Sequence, residues 1–153
     1  MIYEREEHRV AQRLLVEDCA RTFGCVPWHL STLRPIDAWL VRAKAVVGTL
    51  EVKCRDANQF TYPTCWVEVR KVDALLRLTP DERRAVFAVR WNDATGWVRA
   101  VVAATFPQRR VSLNVPRDAG DVNDLIYDVP THLFLPLPVR GRVVVAADDW
   151  SLT

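Results

Sequence analysis

An α/β fold with a mixed sheet is predicted for this chain by three observations: an opening stretch with apolar residues at three- and four-residue steps, a switch to short runs of branched and aromatic residues, and a return to helical spacing before further strands. The element order is then helix, three strands, helix, strands.

The first helix is read over residues 3–22, where Val10, Ala11, Leu14 and Leu15 form a stripe that Cys19, Ala20 and Phe23 extend, with charges on the other face. Val26 to Leu30, Ile36 to Val41 and Val46 to Cys54 read as strands, the last two forming a hairpin. Arg55 to Pro63 has the composition of a loop. Val67, Val69, Val72, Leu75, Leu76 and Leu78 support a second helix from about Thr64 to Leu78, followed at Thr79-Pro80-Asp81-Glu82 by a turn or a short further helical start. Ala85 to Trp91 and Gly96 to Ala103 read as a strand pair across Asn92-Asp93-Ala94-Thr95. Beyond Pro107, Val111 to Val115, Leu125 to Val129 and Val143 to Ala146 are expected to be short edge strands.

The 153 residues are half apolar, enough for one domain, 1–153, with a sizeable core, which excludes a disordered chain or a miniature scaffold. No apolar run reaches the roughly 20 residues of a membrane span, and the charged opening Met1 to Glu7 is unlike a signal peptide, so a soluble cytoplasmic protein is expected. Cys19, Cys25, Cys54 and Cys65 form no CxxC pair, which suggests reduced, buried thiols. His8, His29 and His132 lack ligand spacing, no Ser/His/Asp or Cys/His motif is evident, and five scattered glycines make no phosphate loop. Residues 1–117 carry 19 basic and 13 acidic side chains, the remainder 2 and 6, so a basic body compatible with a polyanionic partner precedes an acidic tail. Of the basic residues 18 are Arg, and only Lys44, Lys53 and Lys71 are Lys.

The informative stretch is Pro35-Ile36-Asp37 followed by Glu51-Val52-Lys53. Alternation along the strand places Thr49, Glu51 and Lys53 on one face. Charges in an otherwise apolar strand are costly unless paired or given a task. An antiparallel hairpin sets Asp37 beside Glu51, and two carboxylates next to a lysine make a hard-oxygen site for a divalent ion such as Mg²⁺. That combination suits phosphodiester hydrolysis, in which the ion neutralises the phosphate and acidifies water while the ammonium orients the nucleophile or steadies developing charge.

Residues 3–103, taken with these two motifs, resemble the PD-(D/E)XK nuclease superfamily, whose α-β-β-β-α-β, restriction-endonuclease-like core is shared by restriction enzymes, Holliday junction resolvases and phage nucleases. Pro35-Ile36-Asp37 stands for the first half of the motif, with Ile36 inserted, and Glu51-Val52-Lys53 for the second. Glu51 to Arg55 is similar to the Glu-Val-Lys-x-Arg run of resolvase-like and small phage members, and the stretches 116–121 and 124–134 resemble the ending of the latter. The resemblance implies a DNA-cutting enzyme of phage or bacterial origin that uses Mg²⁺, with Mn²⁺ as substitute. It implies Asp37 and Glu51 as metal ligands, Lys53 acting on the attacking water, and a homodimer. It further implies a glutamate from the first helix, for which Glu7 fits best with Glu4 and Glu6 as rivals, and a second-helix residue facing the site, for which Lys71 fits.

The loop after the motif strand holds Asn58, Gln59, Phe60 and Tyr62, able to touch phosphate, sugar or an unstacked base, and Arg55 can clamp a phosphate. Arg109, Arg110 and Arg117 are further candidate backbone contacts, while Trp66 is expected to pack the second helix onto the sheet. The competing reading is a non-catalytic nucleic-acid-binding or protein-interaction module on the same core, with the motif kept as an ion-pair cluster.

Overall fold

A computed structural model describes residues 6–31, 33–113 and 122–137. Helix α1 (Glu6–Thr22) leads into strands β1 (Val26–His29), β2 (Ala38–Arg42) and β3 (Ala45–Cys54), followed by β4 (Thr64–Glu68) and α2 (Val69–Leu78). A short 3-10 turn at Glu82–Arg84, started by Asp81 accepting from Arg83 N, leads into β5 (Ala85–Arg90) and β6 (Thr95–Arg99). The short helix α3 (Ala100–Ala103), β7 (Gln108–Leu113), β8 (Val122–Pro130) and the two-residue β9 (Leu135–Pro136) complete the described chain.

Six strands form a mixed central sheet in the order β1-β2-β3-β5-β6-β9. Among the described strands only β3 and β5 run parallel, because the β4 and α2 crossover returns the chain to the same direction. The β2–β3 hairpin turns on Ala43 and Lys44, both left-handed at φ 51° and 63°, with a register shift between Leu40 and Val41. Gly48 lets the 3-10 turn lie against β3, since an added Cβ there would meet the Arg84 carbonyl oxygen.

Each face of the sheet is covered. Against Leu50, Val52, Val86, Ala88 and Trp97, α1 buries Leu15, Val16, Cys19 and Ala20. The opposite face carries Phe87, Val89 and Val98, over which lie Val72 and Leu75 of α2 together with Val67, Tyr127 and Val129 of a second sheet ordered β4-β8-β7. Thr49 Oγ1 donates to the Leu75 carbonyl at 2.9 Å, tying α2 to β3. The four cysteines are free, three of them buried and Cys54 half-buried.

Four expectations require correction. Thr64–Glu68 is strand rather than helix, because it pairs antiparallel with β8, Cys65 opposite Val129 and Val67 opposite Tyr127, a partner some sixty residues away. Alternation follows, with Cys65 and Val67 buried and Trp66 turned outward, so Trp66 does not pack the helix onto the sheet. Ala100–Ala103 leaves β6 as one turn of helix, burying Ala100 and Ala103. Leu125–Val129 is no edge strand but part of the central strand of the second sheet, while Val143–Ala146 lies outside the described residues.

Candidate functional site

Asp37 and Glu51 come together because the hairpin register pairs Ala38 with Leu50. Asp37 is fixed by its own backbone, its N–H donating to Leu50 at 3.1 Å and its carbonyl accepting from Leu30 at 2.9 Å. Its side chain then reaches along β3, where Oδ2 accepts from Val52 N at 2.8 Å.

Glu51 is 2% exposed, among the most deeply buried side chains of the protein. Its Oε2 lies 3.0 Å from Lys71 Nζ, while Oε1, also buried, has no hydrogen-bond partner among the described residues. Burial, and then the neighbouring Asp37 carboxylate, push the Glu51 carboxyl up to about 8, with Lys71 pulling it partly back. Lys71 also donates to the Pro35 carbonyl at 3.3 Å, so its ammonium bridges α2, Glu51 and the approach to β2.

Lys53 lies on the Glu51 face of β3, but its ammonium is paired with Glu68 Oε1 at 3.5 Å. Glu68, the last residue of β4 and the cap position of α2, was not signalled by any sequence spacing. Its other oxygen takes Arg70 Nε at 2.8 Å, and Arg70 also reaches Asp124 of β8 at 3.1 Å. Burial would raise the Glu68 carboxyl, but Lys53, Arg70 and Lys71 outweigh it and hold the group below the ordinary glutamate value. Two glutamates on successive elements are thus driven in opposite directions, Glu51 up by burial and Glu68 down by its cationic neighbours.

The other expected residues divide. Glu7 and Glu6 are exposed on α1, which covers the face opposite Glu51, and among the described residues no group of three His, Cys, Asp or Glu is placed to hold a metal. Glu7 therefore does not join Asp37 and Glu51, because the apolar stripe of α1 turns toward Leu50 and Val52 instead; Glu4 lies outside the described residues. Arg55, Asn58, Gln59 and Tyr62 share one cleft beyond the end of β3. Arg55 donates to the Trp66 carbonyl at 2.9 Å, and Arg109, half-exposed, is clamped by Asp128. Arg110 is exposed, and Arg117 lies outside the described residues.

The donor set fits a small hard cation. Mg²⁺ is commonly held by one or two carboxylates plus water and substrate phosphate, and Asp37 with the unpartnered Glu51 Oε1 offers that arrangement. No helix among the described residues is long and apolar enough to cross a membrane. Residues 3–137 match the family model described as "Phage putative PDDEXK endonuclease". No curated protein and no solved structure matches the chain.

Proposed function

The chain belongs to the phage PDDEXK endonuclease family, and on that footing we propose that it is a metal-dependent nuclease hydrolysing DNA phosphodiester bonds at Asp37, Glu51 and Lys53. The observation that carries this reading is Glu51, a nearly inaccessible carboxyl beside the Asp37 carboxylate, with one oxygen that no donor among the described residues meets. Ionising such a group is costly, and Lys71 compensates it at one oxygen only, so a divalent cation at the carboxyl pair would supply the rest.

Asp37 and Glu51 would hold Mg²⁺, or Mn²⁺ in its place, and the bound ion would supply charge neutralisation at the phosphate and a more acidic water. Asp37 is held in place by the Val52 amide, so that its carboxylate does not have to be ordered when substrate binds. Lys53, only partly exposed, presents an ammonium that hydrogen-bonds the attacking water or a phosphate oxygen. Lys71 offsets the charge of Glu51 from the α2 side. Arg55, Asn58, Gln59 and Tyr62 border the path of the DNA strand, where an arginine and amides suit phosphate and sugar contacts. A homodimer, as in the resolvase-like nucleases the sequence resembles, would let two such sites cut two strands, and sedimentation analysis tests it.

The function is tested by nicking of supercoiled and branched DNA with Mg²⁺ or Mn²⁺. Wild type should cleave, while Glu51→Ala and Lys53→Ala should each lose at least about 10²-fold in rate. Metal-dependent cleavage that survives both substitutions would overturn the site. Failure to cut any substrate would instead favour a binding module built on the same ion-pair cluster.

A further inference from the structure

We propose that the cleft beyond β3 seats an unpaired nucleobase on Trp66, so that the preferred DNA carries unstacked nucleotides, as at a bulge, flap or branch, rather than being a closed duplex. The cleavage half of this statement rests on the nuclease reading above; the base-binding half stands on the cleft. The cavity has a volume of about 790 Å³ and is lined by Arg55, Asn58, Gln59, Tyr62, Trp66 and Arg109 among others, within the range of pockets that enclose a small ligand.

Two of the aromatics lining it are exposed, Tyr62 at 65% and Trp66 at 39%. Exposed aromatic surface on a cleft wall marks a binding site more often than chance. Trp66 is also held in place. Its carbonyl accepts from Arg55 at 2.9 Å, and the Arg109 guanidinium lies 5.3 Å from its ring centroid. Arg109 is fixed by two bonds to Asp128, at 2.6 and 3.1 Å, and Thr64 Oγ1 donates to the same carboxylate at 3.2 Å. An aromatic plate ordered before its ligand arrives loses little entropy on binding.

Base stacking on such a plate is tolerant of sequence, because every base offers a π face, and it requires that the base be free of its own neighbours. Arg55 gives the cleft wall a cationic group suited to a phosphodiester, while Arg109 is already paired with Asp128 and Asp56 accepts from the Asn92 amide at 3.1 Å. Arg55, on the cleft wall, follows Lys53 by two residues, about 7 Å of extended chain, so the cleft opens just past the end of the strand that carries Glu51 and Lys53, which favours nucleic acid over a protein partner.

The test is fluorescence anisotropy in EDTA, comparing a closed duplex with the same duplex carrying a three-nucleotide bulge that contains 2-aminopurine. Wild type should bind the bulged DNA about tenfold more tightly and alter the 2-aminopurine emission. Trp66→Ala should lose that preference while its closed-duplex affinity is unchanged, and Trp66→Phe should retain most of it. Equal affinity for both DNAs, equal weakening on both by Trp66→Ala, or no DNA binding at all, as expected of a protein-docking cleft, would overturn the proposal. Cleavage is scored separately with Mg²⁺. Bulge preference without cleavage supports the base site and sinks the nuclease reading; Glu51-dependent cleavage without bulge preference does the reverse.

Discussion

Lys71 reaches from α2 to place its ammonium 3.0 Å from the buried Glu51 carboxylate, although Lys53 is the lysine closer to Glu51 in sequence. A cation fixed on the protein thus faces the oxygen pair where a divalent ion would sit. It compensates in part for the burial of a carboxyl whose second oxygen meets no donor among the described residues.

Removing that compensation should be felt without metal. Lys71→Met is expected to cost about 2 kcal/mol in EDTA, a fall of roughly 4–8 °C in Tm. Adding millimolar Mg²⁺ should raise the Tm of the variant more than that of wild type. Thermal denaturation with and without the ion checks both, and identical melting of the two proteins in EDTA would refute the pairing.

The raised Glu51 carboxyl makes metal-free stability depend on pH with a definite sign. The unfolded chain gives up this proton near 4.5 and the folded protein near 8, so the folded state binds the extra proton between those values. Stability from this group is complete below the lower value and is lost as pH climbs to the upper one. Between pH 6 and 8 the loss should be about 2 kcal/mol in EDTA. Comparing Tm against pH for wild type and Glu51→Gln isolates the contribution of this carboxyl, since the variant should lack that part of the slope.

Glu68 positions Lys53 and does not itself reach the carboxylate pair. Glu68→Ala should therefore reduce cleavage by about tenfold with little change in KM, as the Lys53 ammonium loses its partner. Glu68→Gln should restore most of the stability but not the rate. A variant with lowered Tm but unchanged kcat would show the residue to be merely structural.

Lys53→Arg keeps the charge but replaces a compact ammonium with a planar fork. Cleavage should fall by about 10²-fold while DNA affinity stays near that of wild type, because phosphate attraction tolerates either cation and the water contact does not. Single-turnover cleavage alongside anisotropy separates the two effects.

Ala43 and Lys44 occupy the two left-handed positions of the β2–β3 turn, where Asn and Gly are preferred. The double substitution Ala43→Asn with Lys44→Gly should stabilise the protein by about 1 kcal/mol, roughly 2–4 °C in Tm. Calorimetry checks this, and the residues lie away from Asp37 and Glu51, so cleavage should not change.

What could be read from the sequence was local. The hairpin that sets Asp37 against Glu51 needs only alternation and a short turn, so residue spacing sufficed to place the two carboxylates side by side. Long-range pairing defeated the same approach at Thr64–Glu68. The apolar residues there match a helical stripe, and only β8 makes them a strand. Glu68 was missed for the same reason, because its place beside Lys53 depends on where β4 ends. Ala100–Ala103 was misread because four apolar residues continue the pattern of β6, and Glu7 because nothing in α1 tells which face of the sheet its stripe will cover.

The pairing of β4 with β8 also sets an order in time. The chain is made from its N-terminus, and the motif hairpin closes from residues within about twenty positions of one another. The carboxylate that holds Lys53 is different: Glu68 sits opposite Ile126, and its partner Arg70 is fixed by Asp124. A nascent chain long enough to contain Asp37, Glu51 and Lys53 therefore still lacks the strand that fixes Glu68, and the lysine is set in place only after residue 130 has been added and β8 has docked.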